Sequence, residues 1–227
     1  MLLVILCAPR VAAACASCGC GDPTLTAMGV EKPFKNRIRL ALEQRIGGQW
    51  DDELFERAIV SRTTFTASWS PTAWLTFAAA LPVIGSELKT SGRAPTRLVG
   101  LGDLELYARA FIYRDRRFSP RHLVNLLAGV KFPTGPRIDD SSGYPAPDDF
   151  QPGSGSFDPI VGAGYSYFGA ALSVFSSISY RHTTVGRRDY RRGSALAATL
   201  LLQRAVHRVV SAGLGLDLSH TRPDQVH

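Results

Sequence analysis

The sequence predicts an all-β fold: an up-and-down antiparallel transmembrane β-barrel. Three observations carry this expectation. Residues Gly100–Gly135 read as two long alternating strands around a turn. The same period-two pattern recurs along the chain, with short and long connections taking turns. Hydrophobic residues make up 45% of the 227 residues, yet no apolar run reaches the roughly 18 residues a spanning helix needs.

In the hairpin, Leu104, Leu106, Ala108, Ala110 and Ile112 fall on one face. Asp103, Glu105, Tyr107, Arg109 and Tyr113 fall on the other. After Arg114–Arg121, Val124, Leu126, Ala128, Val130 and Phe132 alternate with Asn125, Gly129 and Lys131. Strict alternation is the signature of a strand. Each arm has the roughly ten residues of a tilted membrane-crossing strand, whereas soluble strands average about five or six.

Composition limits the alternatives. Charged residues make up 20% and the mean hydropathy is +0.00, too polar for a helical membrane protein. Alternation hides a lipid-facing surface from such averages. The net charge of +7 is modestly basic, but its arginines are scattered and no nucleic-acid motif accompanies them, so no nucleic-acid partner is expected.

Taken in order, residues 1–14 read as a secretory signal, with apolar Met1–Leu6 and small Ala12–Ala14 before a cleavage site. A basic leading segment is missing, which points to a start upstream of Met1. Residues 15–35 form a periplasmic lead-in containing Cys15, Cys18 and Cys20. Three thiols so close together are candidate ligands for a soft metal or disulfide partners. Their spacing matches no closed four-ligand zinc site, so an oxidised or unstructured tail is the plainer reading.

Residues 36–227 are expected to be the barrel. Strand one spans 36–46, with Ile38, Leu40 and Leu42 opposite Arg37, Arg39, Glu43 and Arg45. A loop over 47–56 leads to strand two, 57–69, with Arg62, Thr64, Thr66 and Ser68 on its polar face. Ser61 and Thr63 interrupt the apolar one. Trp69 and Trp74 flank the turn at Ser70–Thr72, as aromatics of an interfacial girdle would. Strand three spans 74–82, and Gly85–Val99 reads as a polar loop. The hairpin supplies strands four and five. The longest loop, Thr134–Gly155, suits an outer loop of a barrel better than a compact soluble domain. Strands six to nine are expected at 157–168, 172–182, 194–204 and 208–219.

Connections after the even strands are short and those after the odd strands long, the arrangement of periplasmic turns and extracellular loops. Nine strands are visible, whereas bacterial single-chain barrels use even numbers. Thr221–His227 reads as polar, with no closing strand. Ten or twelve strands are therefore expected in the complete protein, with the barrel incomplete at the C-terminal end.

Three pieces resemble one known family: GLGDLEL at Gly100–Leu106, GVKFPTG at Gly129–Gly135, and GSGSFDPIVGAGYSYF at Gly153–Phe168. They are similar to the outer-membrane family named for the meta-pathway of phenol degradation, described as transporters. The resemblance covers about the middle third of the chain. It implies a barrel and a role in uptake of hydrophobic or aromatic compounds, and it supplies no catalytic residue.

Function follows from the polar face. Arg37, Arg39, Glu43, Arg45, Arg62, Glu105, Arg109, Lys131 and Asp217 are expected to line a lumen. Such charges either hydrate a pore or plug it with ion pairs. The basic groups are in excess, which favours anions. The expected partners are outer-membrane lipid and a small permeant, with no cofactor. An enzyme is not expected: GxSxG and HExxH are missing. His122, His182, His207, His220 and His227 sit at strand ends or turns, and no histidine shares the face of Ser177 and Ser179. The alternative is a soluble exported β-barrel or sandwich that binds a small ligand.

Overall fold

The computed structural model describes residues 34–51, 56–90, 95–116, 119–138, 151–186, 190–207 and 210–226. The expected signal and the Cys15, Cys18 and Cys20 cluster lie outside these residues. The described residues contain strands and no helix. In chain order the strands are β1 (Arg37–Asp51), β2 (Glu56–Ser70), β3 (Leu75–Thr90), β4 (Thr96–Leu101), β5 (Leu104–Arg114) and β6 (His122–Phe132). They continue with β7 (Asp158–Phe168), β8 (Leu172–Arg181), β9 (Tyr190–Arg191), β10 (Ala195–His207), β11 (Val210–Thr221) and β12 (Gln225–Val226).

The main path is β1-β2-β3-β5-β6-β7-β8-β10-β11. Each strand pairs antiparallel with its neighbour, so the nine expected strands form one up-and-down sheet. Its edges among the described residues are β1 and β11. Strand β4 adds to β3, and the small pair β9–β12 joins the 182–194 connection to the end of the chain. The end is thus not wholly without strand, because Gln225 and Val226 pair with Arg191 and Tyr190.

Three boundaries depart from expectation. Strand β1 runs on to Asp51, and β3 to Thr90, through segments read as loop. Part of the other expected loop, Thr96–Leu101, is β4. For β3 and β4 the cause is visible, since Ile84 and Leu98 are buried on the inner face while charged groups stand on the outer one. Glu87 pairs with Lys89 at 3.0 Å and Arg97 at 3.2 Å. With apolar residues inside and charge outside, the apolar-out, polar-in pattern of the other strands is lost there.

Strands β4 and β5 are one line of strand broken at Gly102–Asp103. Strand β3 pairs with β5 up to Ala80–Glu105 and with β4 from Val83–Leu101. Pro82 sits at the changeover, where its missing N–H breaks no ladder bond, and its carbonyl accepts the Gly102 N–H at 2.7 Å. The register also shifts between Phe111 and Tyr113. This bulge turns Tyr113 outward opposite Val124, not onto the charged face where strict alternation put it.

The two faces differ in chemistry. Leu40, Leu42, Phe65, Phe77, Leu106, Leu126, Val161, Ile178, Leu200 and Leu216 are exposed on one. Leu40 is 78% exposed, far from a soluble core. Towards the short connections this face carries Trp69, Trp74, Tyr113 and Tyr165. The other face encloses Thr66, Thr76, Glu105, Tyr107, Arg109, Asn125, Lys131, Asp158 and Ser179. The 11 residues of β6 extend about 37 Å, and a tilt of about 40° gives a rise of about 28 Å, close to an apolar membrane core.

Candidate functional site

The charged face is enclosed because the sheet curls around it. Arg62 lies on β2 and Arg181 on β8, five steps apart in the sheet. In a flat sheet that separation is about 24 Å, at about 4.8 Å per strand. Yet Arg62 Nη2 and Arg181 Nη2 lie 3.5 and 3.0 Å from the same oxygen, Oε1 of Glu105 on β5. Two walls therefore meet at one carboxylate.

The Tyr107 hydroxyl donates to Oε2 of the same group. The Tyr107 ring packs against Gly129 of β6, where an added Cβ would be 2.4 Å from the ring. Gly129 thus lets Tyr107 reach Glu105. With two guanidiniums and one carboxylate, this cluster carries a surplus of one positive charge.

A second cluster has the opposite balance. Lys131 is paired with Asp103 at 3.5 Å and, more closely, with Asp158. It also donates to Ser154 Oγ at 2.6 Å and Ser156 Oγ at 3.4 Å. Its side chain is 3% exposed, so pairing and hydrogen bonding are what make the charge tolerable. Both carboxylates hold backbone as well. Asp103 Oδ1 accepts the Gly135 N–H at 2.9 Å, and Oδ2 accepts the Ser154 N–H at 2.9 Å. Asp158 Oδ1 accepts the Thr184 N–H at 3.1 Å.

These bonds pull both described ends of the 133–157 connection onto the enclosed face. Gly135 and Gly153 touch backbone to backbone, with no room for a Cβ on either. Gln151 brackets Ile138, accepting its N–H at 2.9 Å and donating to its carbonyl at 3.0 Å. Ile138 and Pro152 pack against the position of Gly100. The connection was expected as an ordinary outer loop, but its described ends fold inward. The three resembling motifs thus converge, since Asp103, Lys131, Gly135, Gly153, Ser154 and Asp158 come one or more from each.

The residues expected to line a lumen fall into several settings on this face. Arg62 and Glu105 are brought together, with Arg181 added. Lys131 belongs to the other cluster. Arg45 pairs with Glu43 two residues away on β1 at 2.5 Å. Arg109 is buried, with its guanidinium 5.1 Å from the Phe111 ring centre. Arg39 is half-buried on β1. Arg37 is exposed at the start of β1, 5.8 Å from the Phe34 ring centre. Asp217 on β11 is exposed and accepts from Thr199 at 2.6 Å.

Sequence reasoning did not single out Asp103, Asp158 or Arg181 as site residues. Each has a signal in retrospect. Asp103 and Asp158 are acidic residues at strand starts beside glycine-rich motifs, and Arg181 ends the polar alternation Ser177, Ser179, Arg181. Among the described residues, no three His, Cys, Asp or Glu side chains gather as a metal site.

No protein-family model matches the chain. No curated protein matches it either. Among solved structures it is similar to an outer-membrane channel from Pseudomonas putida F1, with a TM-score of 0.63 and 16% identity. That likeness covers 87% of this chain and 77% of the other, and it shows the fold they share: an antiparallel sheet curled as in a barrel.

Proposed function

We propose that the protein is an outer-membrane channel for passive passage of small compounds, with a preference for anions. The observation that carries this reading is the inversion of the two faces. An apolar, solvent-exposed band surrounds the sheet, while charged groups are enclosed within it. A soluble protein rarely exposes so continuous an apolar surface, and a membrane supplies what covers it. The aromatic residues beside the short connections suit a headgroup interface. The fold shared with a channel supports the same reading.

Anion preference rests on charge. Arg37, Arg39, Arg45, Arg62, Arg109, Lys131 and Arg181 are cationic on the enclosed face, against Glu43, Asp103, Glu105, Asp158 and Asp217. The surplus is positive, and cationic linings hold back cations. An aromatic acid entering as its anion would satisfy both this charge and the motif resemblance.

Membrane extraction tests the location. The protein should resist carbonate and salt and require detergent. Release by carbonate alone would favour the soluble ligand-binding alternative. Stepwise conductance of the folded chain in planar bilayers tests the channel itself.

A further inference from the structure

We propose that Arg62 and Arg181 form a carboxylate-binding site in the lumen, that Glu105 fills it as an internal ligand, and that small organic anions pass by displacing Glu105. This rests on the channel reading above. The two guanidiniums come from different walls, β2 and β8, and converge on a single oxygen. Arg62 holds that oxygen at 3.5 Å, the outer limit of a hydrogen bond, so this contact is readily exchanged.

A guanidinium is a planar fork that matches both oxygens of a carboxylate. An incoming carboxylate offers two oxygens to a pair of cations that now share one. The cluster also has one positive charge left over, which an arriving anion neutralises. Access differs from that of the neighbouring cluster. The Arg62 and Arg181 side chains are 13% and 11% exposed, whereas Lys131 is sealed under loop backbone and has two carboxylates of its own. The Lys131 cluster repels anions; the Glu105 cluster receives them.

Benzoate is the probe, applied to the full folded chain in planar bilayers under chloride. In the wild-type protein benzoate should reduce the chloride current. Glu105→Gln keeps the size of the side chain and an acceptor for Tyr107 but removes the competing charge. Its benzoate block should be about tenfold stronger, the scale of one charged hydrogen bond. Arg62→Gln should weaken the block by about the same factor. Equal block in wild type and Glu105→Gln would overturn the proposal.

Calorimetric titration of benzoate into the detergent-folded protein separates this claim from the channel itself. Binding that is weakened in Arg62→Gln, in a protein that never conducts, would retain the site and reject the channel. Conductance with benzoate affinity unchanged in Arg62→Gln would retain the channel and reject the site. The titration also decides the matter if Glu105→Gln does not fold.

Discussion

The two buried charge clusters are near mirror images with different consequences. Around Lys131 one cation sits between two carboxylates, and all three groups also bind loop segments. Around Glu105 one carboxylate sits between two guanidiniums that reach from separate strands. The first cluster joins connections to the wall and reads as a clamp. The second joins wall to wall and reads as a crossing point. Similar residues thus stand in two different settings according to what else their oxygens and nitrogens hold.

The sharpest break of this contrast is Lys131→Met. It leaves Asp103 and Asp158 buried with no cation between them. Removing one partner of a buried pair costs about 3–5 kcal/mol. Urea unfolding in lipid vesicles should show that loss, and Glu105→Gln should lose clearly less, because its arginine side chains are 13% and 11% exposed against 3% for Lys131. Equal losses would erase the distinction between clamp and crossing point.

The outer face supplies the next largest effect. Leu106, 38% exposed, neighbours Glu105 in sequence and points the opposite way. Leu106→Arg should destabilise by about 2–4 kcal/mol if it lies near the bilayer midplane. The same change at Val99 of β4, which is exposed one step along the same face from the Arg97–Glu87 pair, should be nearly neutral. Vesicle unfolding of both variants would locate the upper limit of the apolar band.

Gly129→Ala probes the support of the crossing point. The added methyl would collide with the Tyr107 ring and the Leu106 carbonyl. A cost of about 1–3 kcal/mol is expected from such overpacking. Benzoate affinity should fall with it, because the displaced ring no longer orients Glu105 and the site around it. Stability lost with affinity unchanged would free Tyr107 from that role.

The smallest effect lies outside the spanning strands. In the turn between β5 and β6, Asp115 accepts the N–H groups of His122 at 3.0 Å and Arg121 at 2.8 Å. These donors hold its carboxyl below the usual carboxylate range. A lowered folded value means the turn gains stability above the ordinary aspartate pKa, and loses it as pH falls through the folded value. Hydrogen exchange at Arg121 and His122 should therefore be slower in wild type than in Asp115→Asn at neutral pH. The two should converge in acid.

Much of this arrangement was readable in the chain. Where one face is apolar and the other charged, as in β5 and β6, alternation located both the strands and their orientation. It failed where that orientation is exchanged, in β4 and the end of β3, where Ile84 and Leu98 are buried inside and Glu87, Lys89 and Arg97 stand outside. It also failed at the Phe111 bulge, since a single extra residue reverses every face beyond it. The enclosing geometry was hidden for a different reason. Nothing local links Arg62 or Arg181 to Glu105; only curling brings β2 and β8 together. Likewise, Gly135 and Gly153 show their reason only as a touching pair.

Reversal potential under a KCl gradient, measured on the full folded chain in planar bilayers, tests the central claim most directly. The enclosed positive surplus predicts chloride preference. Raising salt should weaken it, because the Debye length falls to about 3 Å at 1 M. Cation preference would contradict the assignment of the charged face to a conducting lumen, and a folded chain that never conducts would make the two clusters the plug of a closed barrel.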